Sequence, residues 1–98
     1  MFRHFYILSE AADHDLEDIF DFTEENFGFA QAEKYLLEIE ERIQQLCIHP
    51  ELGKRREEIK ENLYSFPKDN HVIFYRIFAD HLRIVRILHG SKDLPVHF

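Results

Sequence analysis

VIFYRIFADHLRIVRIL, residues 72–88, decides the fold. Two runs rich in β-branched and aromatic residues, Val72–Phe78 and Leu82–Leu88, flank the short break Ala79-Asp80-His81. Strongly apolar runs this close together predict a β-hairpin. Strict alternation would set Arg83, Val85, Ile87 and His89 on one face of the second strand, and Leu82, Ile84, Arg86 and Leu88 on the other. Each face is then mostly apolar with one arginine, the pattern of a central strand covered on both sides near its middle.

Upstream, Asn62-Leu63-Tyr64-Ser65-Phe66 reads as a further strand and Pro67-Lys68-Asp69-Asn70 as the turn leading into the hairpin. Residues 51–62 are charged and turn-prone. The first half of the chain changes period. HFYIL, residues 4–8, suits a short opening strand, and Ser9 then stands as an N-cap before a run crowded with carboxylates (Glu10, Asp13, Asp15, Glu17, Asp18). Ala12, Leu16, Ile19, Phe20, Thr23 and Phe27 recur at helical spacing, and Gly28 ends the helix. A second helix is expected from about Ala30 to His49, with Ala32, Leu36, Ile39, Ile43, Leu46 and Cys47 as its apolar stripe and Pro50 as its stop. Two amphipathic helices joined at a glycine form an antiparallel hairpin, too small to stand without a sheet to lie on. The order β-α-α-β-β-β predicts an α+β fold. An antiparallel or mixed four-stranded sheet packs against an N-terminal helical hairpin, in one domain over residues 1–98.

The 98 residues hold 45% apolar side chains, ten of them Phe, but only three Gly and three Pro, so a packed core is expected rather than disorder. Apolar runs fall far short of a membrane span and no leader-like segment opens the chain, so no membrane contact is expected. A lone Cys47 leaves no internal disulfide and favours the cytoplasm. The formal charge of −7 is unevenly placed. Residues 1–50 carry twelve acidic and three basic groups, whereas residues 51–98 carry seven acidic and nine basic. That balance disfavours direct nucleic-acid binding, which needs a basic footprint, yet leaves room for one positive face aimed at an acidic partner.

Most candidate chemistry falls away. The seven histidines lack metal-ligand spacing, so neither a metal nor any other cofactor is expected. Cys47 lies inside a helical stripe as a small hydrophobe, and the acidic run of the first helix reads as a solvated face. No phosphate-cradling glycine loop is present. What remains is a polar set on and after the last strands: His71, Arg76, Arg83, Arg86, His89, Ser91, Lys92 and Asp93.

With those residues in view, four segments resemble the ParE branch of the RelE/ParE toxin superfamily. They are Ala11-Ala12 with Asp15-Leu16-Glu17-Asp18-Ile19, then His49-Pro50-Glu51-Leu52-Gly53-Lys54, then Ser65-Phe66-Pro67 with His71-Val72-Ile73-Phe74-Tyr75-Arg76, and last Ile84 to Asp93. The resemblance covers roughly residues 5–95. It departs at Asn62, where the family often has Gly, at Tyr64, where Arg is common, and at Asp69-Asn70, which replaces a Gly-containing turn.

The resemblance implies the toxin half of a bacterial type II toxin–antitoxin module. Such a toxin is neutralised in a hetero-oligomeric complex by a cognate antitoxin that wraps round it. ParE relatives inhibit DNA gyrase, whereas RelE relatives cut messenger RNA on the ribosome. On the first reading Arg76, Arg83, Arg86, His89, Ser91, Lys92 and Asp93 grip a target or the antitoxin and no catalytic residue exists. On the second, His71, Arg76, Arg83, Arg86 and His89 form a nuclease site with acid, base and cations for the phosphorane charge. A chain at −7 approaches the polyanionic ribosome against its own field, which favours the first reading. A degenerate relative that only binds antitoxin is a third possibility.

Overall fold

The computed structural model describes residues 5–90 and residue 98. The order is β1 (Phe5–Leu8), α1 (Glu10–Phe27), α2 (Phe29–Ile48), a 3-10 turn at Pro50–Leu52, β2 (Lys54–Arg55), β3 (Tyr64–Lys68), β4 (His71–Ile77) and β5 (His81–His89). The strands form one sheet in the order β1-β5-β4-β3-β2. β1 runs parallel to β5 and the other pairs are antiparallel. The helical hairpin and the β4–β5 hairpin therefore stand as expected, with three local differences.

The sheet has five strands rather than four, because Lys54 and Arg55 pair with Ser65 and Tyr64. Charge in residues 51–62 hid so short an edge strand. β3 also continues through Pro67 to Lys68, beyond the expected end at Phe66. A proline is tolerated there because β2 reaches only Tyr64 and Ser65, so β3 is already an edge strand at Pro67. The turn shrinks to Asp69-Asn70, where Asp69 takes φ 53°. Asn62 sits at φ 60°, in the left-handed region that Asn accepts more readily than most residues.

The third difference changes faces. Opposite Phe74 and Tyr75 stand Arg86 and Ile84, which leaves Val85 as the extra residue of a β-bulge. The simple alternation expected along β5 breaks at that point. Leu82, Ile84 and Ile87 all join the core beneath the helices, with Ile39, Ile43, Leu46, Ile73 and Tyr75. Val85 and Leu88 pack on the helix-free face with Leu63, Phe74, Val72, Ile59 and Phe98. Each fully buried Ile or Leu contributes about 1.5–3 kcal/mol.

Hydrogen bonding ties the hairpin to the sheet. β1 stops at Leu8, opposite Ile84, while β5 continues. Past that point α1 supplies what a neighbouring strand would. The Ser9 N–H donates to the Ile84 carbonyl (2.9 Å), and the Ser9 hydroxyl donates to the Val85 carbonyl (2.7 Å) while accepting from the Ala12 N–H (2.9 Å). Asp15 then accepts the Ile87 N–H at 2.9 Å and both Nε and Nη2 of Arg86 at 2.8 Å. The carboxylate is 8% exposed, so it is a structural acid and not part of the solvated face expected for the acidic run. The Gly28 N–H closes α1 on the Glu24 carbonyl at φ 90°.

After α2, the chain turns under Tyr75. Its buried hydroxyl donates to the Pro50 carbonyl at 2.7 Å, and burial pushes its pKa up to about 12. Gly53 lies against the same hydroxyl, and a Cβ there would stand 2.0 Å from the oxygen.

Two substitutions test this frame. Gly53→Ala should destabilise by about 1–3 kcal/mol, the usual cost of overpacking, because the tyrosine it strikes is anchored. Asp15→Ala should cost about 3 kcal/mol, since it leaves a shielded guanidinium and a strand N–H unpaired. Urea unfolding midpoints at constant m-value measure both.

Candidate functional site

The expected site residues divide between two surfaces. On the helix side, a groove of about 760 Å³ opens between the hairpin and the ends of β4 and β5. Ile19, Phe22, Phe27 and Ile87 make it apolar. Phe27, the end of the apolar stripe expected along α1, is 69% exposed and becomes groove wall, joined by Phe22, which lay outside that stripe and is 64% exposed. Four carboxylates, Asp15, Asp18, Glu38 and Asp69, lie along the same groove, Asp15 being the one held by Arg86.

His71 and His89 face each other across β4 and β5 and meet edge-on at the groove, ring centroids 5.5 Å apart. The Tyr35 hydroxyl lies 2.7 Å from His71 Nδ1 and 3.2 Å from the Lys68 carbonyl. Burial pulls the His71 pKa below its ordinary value, the neighbouring His89 adds to this, and Asp69 opposes it. Lys68, itself buried, pairs with Glu38 and Asp69 and sits 4.9 Å from the Tyr35 ring centroid. Burial lowers its pKa, but the two carboxylate hydrogen bonds outweigh that and the net shift is upward.

The arginines occupy the other face. Arg76 and Arg83 stand directly opposite each other on β4 and β5. The bulge brings Arg86, expected on the opposite face from Arg83, into the same cavity of about 550 Å³. Lys60, Phe78, Val85 and Phe98 also line it, and its described lining holds four cations and no side-chain carboxylate. Among the described residues, Arg76 Nε is a buried donor with no hydrogen-bond partner. Arg86 is committed to Asp15, which raises its pKa further. Ser91, Lys92 and Asp93 lie outside the described residues.

Tyr64, where the resembling family commonly has Arg, is half-buried and stacks on Tyr75 with ring centroids 5.6 Å apart. Sequence reading passed over Lys60 and Tyr35. Lys60 sits in a charged stretch without periodicity, and Tyr35 reaches His71 only through the packing of α2 on the sheet. No cluster of three or more His, Cys, Asp or Glu suited to a metal occurs among the described residues. No described helix is long and apolar enough to cross a membrane. Cys47 is buried and unpaired, and burial raises its thiol pKa.

The architecture is that of a known toxin class. A chain of the structure titled "Chromosomal ParDE TA system from P. aeruginosa" superposes with a TM-score of 0.76, covering 90% of this chain and 96% of that one at 19% identity. Residues 6–94 match the family described as "ParE toxin of type II toxin-antitoxin system, parDE". Toxin ParE1 of Mycobacterium tuberculosis is 34% identical over 90 residues, 91% of this chain and 92% of that one. Toxin ParE1 of Caulobacter vibrioides is 33% identical over 92 residues, 94% and 95% of the two chains. Toxin ParE3 of the same organism is 31% identical over 80 residues, 82% and 80% of the two chains. The chain belongs to the ParE toxin family of type II toxin–antitoxin systems.

The depressed His71 pKa fixes a pH dependence. The unfolded chain takes up its proton near the ordinary value of 6.5, and the folded chain resists until lower pH. Below that value the unfolded state therefore binds more protons, so stability falls as pH drops. Wild type should lose thermal stability between about pH 7.5 and 5.5, and His71→Gln should lose less. The exposed carboxylates with lowered pKa, Glu57, Glu58 and Asp69, act only below about 4.5. Equal slopes for the two proteins would refute this assignment.

Proposed function

We propose that this toxin arrests growth by binding DNA gyrase through the arginine face of its sheet, and that a cognate antitoxin neutralises it in the bacterial cytoplasm. The reading is of a protein-binding inhibitor rather than an enzyme, acting without a cofactor and without gripping nucleic acid directly. One observation carries it: the five residues of a nuclease site are split by the sheet, His71 and His89 on the helix side and Arg76, Arg83 and Arg86 in the cavity on the other face. Strand scission by 2′-hydroxyl attack needs its base, its acid and its cations round one phosphate. Docking needs only anchors on one face, and arginine is enriched among such anchors. Ser91, Lys92 and Asp93 remain candidates for target or antitoxin contact on the same proposal, and His89 belongs to the groove side.

The groove between hairpin and sheet is the seat proposed for the antitoxin. It exposes Phe22 and Phe27 over an apolar floor, as helix-in-groove recognition requires. Occupying it would cover His71 and His89 while leaving the arginines on the other face.

A supercoiling assay with purified gyrase tests the target. Toxin at a few-fold molar excess should inhibit supercoiling, and the double variant Arg76→Ala, Arg83→Ala should require at least ten times more protein. Full gyrase activity at large toxin excess would remove gyrase as the target.

A further inference from the structure

The cavity on the helix-free face gathers Lys60, Arg76, Arg83 and Arg86, and of these Arg86 is paired with Asp15. Arg76 and Arg83 are cross-strand neighbours on one face, a placement that is unfavourable for like charges. Lys60 joins them at the same cavity, which has no side-chain carboxylate in its described lining. Arg76 Nε is buried without a hydrogen-bond partner, and a donor in that state is costly. The cations gather here although acidic residues outnumber basic ones by 19 to 12 in the chain. An anion seated between the two guanidinium groups would relieve the repulsion. Guanidinium forks match planar carboxylates in paired hydrogen bonds.

What surrounds the cavity decides which anion. Ile7 is in register with Arg83, and Phe5 with His81. The His81 ring stacks between Phe5 and Phe78, at centroid distances of 5.4 and 4.9 Å. Phe5, Ile7 and Phe78 are 44%, 41% and 43% exposed, so an apolar shelf runs beside Arg83. A nucleic acid would meet one cationic point, then hydrocarbon, on a chain of net charge −7. A polypeptide carrying Asp or Glu next to apolar side chains meets complementary chemistry throughout.

We infer that the Arg76–Arg83 cavity is a carboxylate-binding site for an acidic, apolar segment of a protein partner, its acid seated between the two arginines and its apolar neighbours on the Phe5–Ile7–Phe78 shelf. This rests on the docking reading above and names the chemistry of what the face grips, without requiring that the partner be gyrase.

Fluorescence anisotropy with the purified full chain tests it directly. The probes are a short labelled peptide of Glu and Leu, the same peptide with Gln for Glu, and a labelled single-stranded DNA of similar length. The Glu peptide should bind at least about tenfold more tightly than its Gln counterpart, a difference worth 1.4 kcal/mol. Arg83→Gln and Arg76→Gln should each weaken it by a similar factor, and added salt should weaken it further. Arg83→Gln should also unfold at no lower temperature than wild type, because it relieves a like-charge contact. Equal binding of the two peptides, no binding of either, unchanged affinity in both variants, or displacement of the Glu peptide by equimolar DNA would each overturn the assignment. The peptide comparison needs no variant, so a poorly folding substitution leaves the test intact. Peptide binding without gyrase inhibition would sink the target and keep the site; inhibition without peptide binding would do the reverse.

Discussion

One carboxylate joins the two layers of this fold. β5 outruns its parallel neighbour β1, and a central strand that loses its partner exposes backbone groups that burial makes costly. Asp15, projecting from the first helix, takes the Ile87 N–H and clamps the adjacent guanidinium with its two oxygens. Ser9 does the same for the carbonyls of Ile84 and Val85 while capping the helix it begins. The helical hairpin is thereby fixed on the sheet by directional bonds as well as by the apolar contact of Ala12 and Ile19. Both proposed surfaces inherit this constraint. The groove needs α1 held at a set distance from β5, and the cavity needs Arg86 held in place beside Arg83.

The bulge at Val85 matters as much as the clamp. Without it, strict alternation would send Arg86 toward the helices and Ile87 to the open face. One extra residue lets Ile84 and Ile87 both reach the core and brings Arg86 round to join Arg83. The sheet then separates His71 and His89 on one face from Arg76 and Arg83 on the other, while Arg86 reaches from the arginine side to the Asp15 carboxylate.

The hairpin of helices, the β4–β5 hairpin and most core positions were legible because each rests on a local signal: helical spacing from Ala32 to Cys47, β-branched runs from Val72 to Leu88, and the cap at Ser9. Features that depend on two distant segments were not. Asp15 looks like any solvated acid until β5 lies beside it, 72 residues later. The bulge depends on how Tyr75 and Ile84 meet, and no single run encodes that pairing. β2 escaped notice because two charged residues have no period. For the candidate site, residue types singled out the arginines and histidines, but their division between faces required the register of the assembled sheet.

Parallel pairing of β1 with β5 carries a kinetic consequence. The first strand waits for the last, so the sheet stays open in its middle until residues 81–89 leave the ribosome, and only then can Phe5–Leu8 find its place. Contacts of such long sequence separation form late and slowly. A nascent chain halted ahead of His81 has neither the strand that joins the two halves nor two of the three arginines of the cavity. An interrupted round of synthesis therefore leaves a fragment in which neither the five-stranded sheet nor the three-arginine cavity can form.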